Sequence, residues 1–422
     1  MIHILSFIPF MGLFSLLNPT AVAYSTSTSK SGAAMKVDSF SGPNTSDEIS
    51  SFSEFVSTLK PATSNKGNLW SYKDSGSSLR AMGLVYDVTN KSNVSIINTM
   101  IRFCDALLSE RNDLANPPVG GYKIWTGRVD PVWPNNLTTG APTQGEQGEC
   151  VGNLAHCGYL MVKSTSLHNK TVPDRDPHGY GKTYWERANR YLREAQFTID
   201  QHVLKSQLNI SDHQRMYYNP QPGTTIPNGR PVPWNQQMMF NEAFQNLADA
   251  YRLLGSNKSL VSKYDNLIKT SIDWFFRGPG GAVSKKSQKG TQVYEWAYGS
   301  ESPLKHIEKI GHGGADILGM YRAYVHEGYG VTKEMMTGLA NTFFDVMTLG
   351  DKKWAGDVNG DKQDVKTKIQ AVYMVLAEFR SGEYKKAISW WLTEGKTTKD
   401  VIAMSNLLWL KSRMGGGEKR DG

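Results

Sequence analysis

The sequence predicts an all-α protein folded as a single (α/α) toroid of six or seven helix pairs. Three observations lead there. Apolar residues recur at three-four spacing along nearly the whole chain, strand-like alternation is short and rare, and no shift of composition divides the 422 residues into separate units. With 11 Trp, 19 Tyr and 15 Phe the chain can bury a large core, which excludes a disordered or fibrous protein. Helices alternating between an inner and an outer layer explain that unbroken rhythm better than several small domains do.

The elements follow in order. Residues 1–23 read as a secretory signal, with a short apolar run from Ile4 to Leu17 and a small-x-small Ala21-Val22-Ala23 cleavage site. The run is too short for a membrane anchor. Residues 24–44, rich in Ser, Thr, Gly and Lys, read as a disordered linker, and 415–422 as a disordered tail. The toroid domain is assigned to 45–414. Within it, helical spacing marks 49–59, 97–108, 151–162, 184–204, 236–254, 260–276, 315–324, 337–347, 365–379 and 401–411. Three long loops, 120–148, 217–234 and 278–305, carry Trp and Gly and are expected to line a central cleft.

Seven Asn-x-Ser/Thr sequons, at Asn44, Asn90, Asn93, Asn136, Asn169, Asn209 and Asn257, suit an exported glycoprotein. The net charge of +8 favours an acidic partner. Export disfavours nucleic acid and the lack of a span disfavours a membrane, so an extracellular acidic polysaccharide is expected, bound by a monomer. Three cysteines make no disulfide framework and no zinc pattern. On one helix, Cys150 and Cys157 would lie about 10 Å apart, too far to bridge each other. One of them pairs with Cys104, or all three are small buried residues. No cofactor or metal is expected; Asp357-Val358-Asn359-Gly360-Asp361 has its Gly misplaced for a calcium loop and reads as a turn.

Four segments carry candidate chemistry. In Pro233-Trp234-Asn235-Gln236-Gln237 a loop meets a long helix; Asn235 is either the helix N-cap or, with Gln236, an amide donor to a ligand carboxylate. In Tyr294-Glu295-Trp296-Ala297-Tyr298 the aromatic residues alternate, as in a core-facing strand or a sugar-stacking rim. Lys285, Lys286, Lys289 and Lys305 flank it and are expected to lower the Tyr298 pKa. Gly311-His312-Gly313-Gly314 opens a helix with an imidazole near its natural titration range. Trp125 and Arg128, in the 123–133 segment, offer an indole for stacking and a cation for carboxylates.

The order of these motifs, Trp-Asn-Gln, then Tyr-x-Trp-x-Tyr, then Gly-His-Gly-x-x-Asp, resembles the alginate lyase-like superfamily of polysaccharide lyases. The likeness covers roughly 121–379. It implies cleavage of a polyuronate (alginate, polymannuronate or glucuronan) by β-elimination without an obligatory metal. The implied roles are carboxylate neutralisation by Asn235, protonation of the leaving O4 by Tyr298, and base or orienting work by His312. Trp234, Trp296 and Trp125 would stack sugar rings, while Tyr294, Gln236, Arg128 and Lys289 complete the binding surface. This chain has Gln236 where many family members have a His after the Asn, and Gln292 and Lys289 where many have an Arg. The base therefore stays open between Tyr298 and His312. Two other readings remain: a hydrolase on the same fold, using two of Glu149, Glu295, Glu308 and Asp316, and a secreted sugar-binding protein without catalysis.

Overall fold

A computed structural model of the chain describes residues 33–62, 70–134, 136–209, 215–218, 229–300 and 306–415. The signal segment, residues 24–32 of the proposed linker, Lys305 and nearly all of the tail lie outside them. The protein is mainly helical, and its few strands form short two-stranded antiparallel ladders.

Strand β1 (Met35–Val37) leads into α1 (Ser46–Ser57), opened by a capping box between Thr45 and Glu48. Helices α2 (Trp70–Val88), α3 (Val94–Ser109) and α4 (Glu146–Lys163) follow, then α5 (Tyr184–Thr198), which runs through a π turn (Ile199–Val203) into the short α6 (Leu204–Ser206). The ladder β2 (Leu208–Asn209) with β3 (Arg215–Met216) precedes α7 (Trp234–Leu253) and α8 (Lys258–Arg277). The hairpin β4 (Val283–Lys286) and β5 (Gln292–Glu295) precedes α9 (Ile310–His326) and α10 (Lys333–Asn341). A π turn (Thr342–Met347), β6 (Thr348–Gly350) and β7 (Lys353–Trp354) lead to a 3-10 helix (Ala371–Phe379), α11 (Tyr384–Ser389), β8 (Lys396–Thr398) and α12 (Val401–Gly415).

One continuous core runs from Met35 to Leu410. Helix α4 packs against α7, α7 against α9, α9 against the 3-10 helix, that helix against α12, α12 against α2, and α2 against α4. Outside these, α3 lies on α2 and α4, α5 on α4, α8 on α7, and α10 on α9. Small residues set the tightest of these contacts. A Cβ on Gly148 of α4 would stand 2.4 Å from the Met239 carbonyl oxygen of α7, and one on Gly145 would stand 2.4 Å from the Gln236 Cβ. Only glycine admits that approach.

Three sequence expectations need correction. The described part of the proposed linker is no linker: Met35, Val37 and Phe40 are buried, and β1 pairs with β8. Helix α2 was not expected, because Ser77, Ser78, Ala81 and Gly83 interrupt its apolar pattern, although Leu79, Met82, Val85 and Tyr86 are buried along it. Of the expected helix at 365–379, only the last nine residues are helical, wound as 3-10. The alternatives for the cysteines also resolve: all three are buried and unbridged, with the Cys104 and Cys157 thiols in hydrogen-bond contact. The acidic 357–361 segment is a turn, in which Asp357 pairs with Lys309 at 2.6 Å and Gly360 takes a φ of +85°.

Candidate active site

The site is assembled where helix starts meet. Pro233 caps α7, since its missing N–H costs nothing at a helix entrance. Asn235 is thus inside the first turn, not at the N-cap. Its Oδ1 accepts the Gln236 N–H at 3.0 Å, and among the described residues its Nδ2 donates to no protein group. Gln236 is locked between helices: Oε1 accepts the Gly145 N–H at 3.2 Å and Nε2 donates to the Gln144 side chain at 3.0 Å. The close α4–α7 contact at Gly145 brings these groups within reach.

The 296–300 segment crosses this helix start. The Trp234 N–H donates to the Tyr298 carbonyl at 3.3 Å, the Tyr298 N–H to the His306 carbonyl at 2.8 Å, and the Glu308 N–H to the Trp296 carbonyl at 3.0 Å. Ser300 Oγ donates to the Val232 carbonyl at 3.0 Å. Buried Arg215 donates to the Ser300 carbonyl and stacks over Trp274, 4.3 Å from the ring centre. These bonds fix the partly exposed Tyr298 ring 5.1 Å from the His312 imidazole, which projects from the first turn of α9 and keeps about 32% of its surface exposed. His312 Nδ1 lies 3.6 Å from Glu308 Oε1.

The electrostatics reverse the sequence expectation. Lys285 is bound to Glu295 at 2.7 Å and Lys289 to Asp345 at 2.8 Å, so neither supplies a field at Tyr298. Burial, then the nearby acids Glu308, Glu146 and Asp316, push the Tyr298 phenol upward instead. The Tyr218 hydroxyl is hydrogen-bonded to that of Tyr298 and is raised too, chiefly by burial. Beneath them, Glu308 and Asp316 are fully buried and hydrogen-bonded to each other. Burial drives Glu308 up to about 8 and Asp316 well above the usual carboxylate range, so the pair keeps protons at a pH where ordinary carboxyls have lost them.

The predicted residues therefore separate into two groups. Asn235, Gln236, Tyr298 and His312 come together. Trp234, Tyr294 and Trp296 do not serve as stacking platforms. Trp234 and Trp296 are wholly buried around Phe275, Trp296 Nε1 donates to Asp316 Oδ2 at 2.9 Å, and Tyr294 packs edge-on against Phe276. The alternating aromatic pattern thus marked a core-facing segment up to Trp296. Lys289 sits beyond the β4–β5 ladder on its ion pair, away from the cluster. Arg128 is exposed and paired with Asp130 at 2.9 Å. Trp125 stays partly exposed, its Nε1 donating to Thr143 at 2.8 Å, one residue before the Gln144 that meets Gln236.

Sequence reasoning missed Tyr218 and Glu146 as members of the cluster. Tyr218 follows a two-residue strand in a loop without periodicity, and nothing in the sequence set it apart. Glu146 stands in the first turn of α4, where an acid is already accounted for by the helix dipole. Comparison with known proteins finds no matching family model and no matching curated protein.

Proposed function

We propose that the protein is a secreted, monomeric polysaccharide lyase that cleaves a polyuronate by β-elimination. The observation that carries this reading is the junction of the Asn235–Gln236 helix start with Tyr298 and His312. Backbone bonds join that helix start to the Tyr298 segment, whose partly exposed ring lies 5.1 Å from the His312 imidazole, so an amide, a phenol and an imidazole stand at one junction.

In the proposed reaction, Asn235 Nδ2 donates to the uronate carboxylate, and the positive start of α7 adds to its pull. Negative charge accumulates on that carboxylate as the C5 proton leaves, so the donor favours the transition state over the ground state. The His312 imidazole takes the C5 proton, with Glu308 behind Nδ1 to orient the ring. The C5–H electron pair becomes the C4=C5 double bond and the C4–O4 bond breaks. Tyr298 passes its proton to O4, and the Tyr218 hydroxyl steadies the phenolate that remains. A phenol with a raised pKa is protonated before the reaction, which suits it to the acid role and leaves the base role to His312.

The cyclic order of helix neighbours, from α2 through α4, α7, α9, the 3-10 helix and α12 back to α2, supports the toroid reading of the fold. Among the described residues no helix is long and apolar enough to cross a membrane, in keeping with an exported enzyme. The carboxyl pair argues against the rival hydrolase. Glu308 and Asp316 bond each other out of solvent, so they cannot flank a glycosidic bond with a water or nucleophile path between them. Glu149 and Glu295 lie beside Arg80 and Lys285.

The decisive experiment incubates the protein with alginate, polymannuronate, polyguluronate and glucuronan and follows absorbance in the near ultraviolet. The new conjugated double bond is the expected product. Release of reducing ends without that absorbance would establish hydrolysis, and neither signal on any polymer would leave a binding protein.

A further inference from the structure

Helix α5 runs into the π turn Ile199–Val203, and that turn carries a histidine whose ring is wholly buried. Single π turns within helices recur at functional sites. Both ring nitrogens of His202 are engaged. Nδ1 stands 2.9 Å from Asp130 Oδ2, and Nε2 stands 2.8 Å from Thr143 Oγ1. Against the effect of burial, hydrogen bonds from His202, Arg128 and Thr126 hold the Asp130 carboxyl down to about 2. Asp130 is therefore an anion, and Nδ1–H is the donor to it. Thr143 Oγ1 also accepts the Trp125 indole N–H at 2.8 Å.

Two routes lead from this ring to the phenols. On the first, Thr143 is followed by Gln144, whose side-chain oxygen accepts Gln236 Nε2 at 3.0 Å. Gln236 is hydrogen-bonded in turn to the Tyr218 hydroxyl, and that hydroxyl to Tyr298. On the second, the Gln207 side-chain amide comes to 3.5 Å of His202 Nε2, a longer contact. The Gln207 carbonyl accepts the Tyr217 N–H at 2.7 Å, one residue before Tyr218. Asp130, Thr143 and Gln207 are all buried, so water does not compete for these bonds.

We infer that His202 is a positioning residue for the Tyr218–Tyr298 phenol pair, the branch point from which Gln144 and Tyr217 are both held. Its catalytic meaning rests on the lyase reading, in which Tyr298 gives its proton to O4 and Tyr218 steadies the phenolate. An apolar ring would fill the same space without the desolvation cost, which polar groups escape only when each finds a partner. An anion, an imidazole and a hydroxyl bonded in sequence out of solvent admit one arrangement, where an apolar contact admits several. Each segment that His202 fixes in this way continues to a group bonded to the phenols or next to one in the chain.

The test places a fluorotyrosine at position 218 alone in the full chain and follows its fluorine resonance, alongside kcat and KM for alginate, polymannuronate and glucuronan. His202→Phe keeps a ring and removes both nitrogens, and Thr143→Val keeps the shape and removes the hydroxyl. Each is expected to shift or split the resonance and to lower kcat about 10–100-fold, with KM held within about twofold. His202→Gln, which keeps a donor and an acceptor, is expected to recover most of both. Leu192→Ala opens a cavity elsewhere on α5 and measures the effect of lost stability alone; at an equal fall in melting temperature it should move neither signal. An unchanged resonance in His202→Phe and Thr143→Val overturns the assignment. So does an equal change in Leu192→Ala, or an unchanged kcat on a polymer that the wild-type protein cleaves. If His202→Phe fails to fold, Thr143→Val decides by the same outcomes. If the wild-type protein cleaves none of these polymers while the resonance still answers to His202, the lyase reading falls and the hold on Tyr218 stands.

Discussion

Replacing Tyr298 by Phe removes a single oxygen from a ring already held in place by backbone bonds on both sides. Under the proposed mechanism, kcat for elimination drops by about 10²–10⁴-fold, while KM for the polymer changes little. Tyr218→Phe removes only the donor to the phenolate left on Tyr298 and is expected to lower kcat by about 10²-fold. Steady-state absorbance assays measure both, and unchanged kcat in both would remove the phenols from the chemistry. Glu308 gives a pH prediction. Its pKa in the fold is about 8 against an ordinary 4.5, so the folded state holds a proton that the unfolded chain has released between those values. Its contribution is fully present below 4.5, falls as pH rises and is lost above about 8. Glu308→Gln should flatten the decline in melting temperature over that window, leaving the slope due to Asp316, which is shifted the same way. The amide at 235 and the imidazole at 312 were legible in the sequence because a helix entrance needs few contacts to be recognised. The sign of the Tyr298 shift was not. It depends first on burial and then on which charges have already found partners, and Lys285 and Lys289 had found theirs.

At the scale of elements, the crossing of α4 and α7 matters most. Gly148→Val forces a side chain against the Met239 carbonyl and is expected to cost about 1–3 kcal/mol. Because Gln236 hangs between the same two helices, the variant should lose activity before it loses structure. Denaturant unfolding alongside activity would separate the two effects. A second prediction concerns α1 and α12. Lys411 and Glu48 form an ion pair at 2.6 Å with both side chains wholly buried, and Lys411 also donates to the Ser39 carbonyl. Lys411→Met strands the carboxylate and should destabilise the protein by about 3–5 kcal/mol, with Glu48→Gln in the same chain recovering part of it. Helices with large apolar stripes, such as α3 and α8, were plain in the sequence. Helix α2 was hidden, since Gly76, set against Asn153, and Gly83, set against His156, break up the buried stripe of Leu79, Met82, Val85 and Tyr86. The 24–44 segment misled for the opposite reason. Its composition is that of a linker, yet Met35, Val37 and Phe40 are enough to dock its described part, 33–44.

For the molecule as a whole, the helical architecture was readable because one periodicity dominates the chain. The neighbours of each helix were not, since close crossings are written in glycines spread over distant segments. The proposed export makes a further prediction from exposure. Asn90, Asn169 and Asn257 are exposed at turns, whereas Asn44 spends its Nδ2 on the Leu408 carbonyl at 2.9 Å. Protein recovered from a secreting eukaryotic host should carry glycans on those three and none on Asn44, as peptide mass mapping before and after deglycosylation would report. Bare asparagine at all three would speak against passage through a glycosylating compartment.

The ladder between Met35–Val37 and Lys396–Thr398 joins segments separated by most of the chain, and Gly395 adds an N–H bond to the Val37 carbonyl. During synthesis the first of these strands emerges long before its mate. It must wait, apolar and unpaired, until translation has nearly finished. Ribosome-bound chains halted before residue 396 should consequently leave Met35 and Val37 open to protease and to holdase chaperones, and synthesis and release of the remaining 27 residues should close that window.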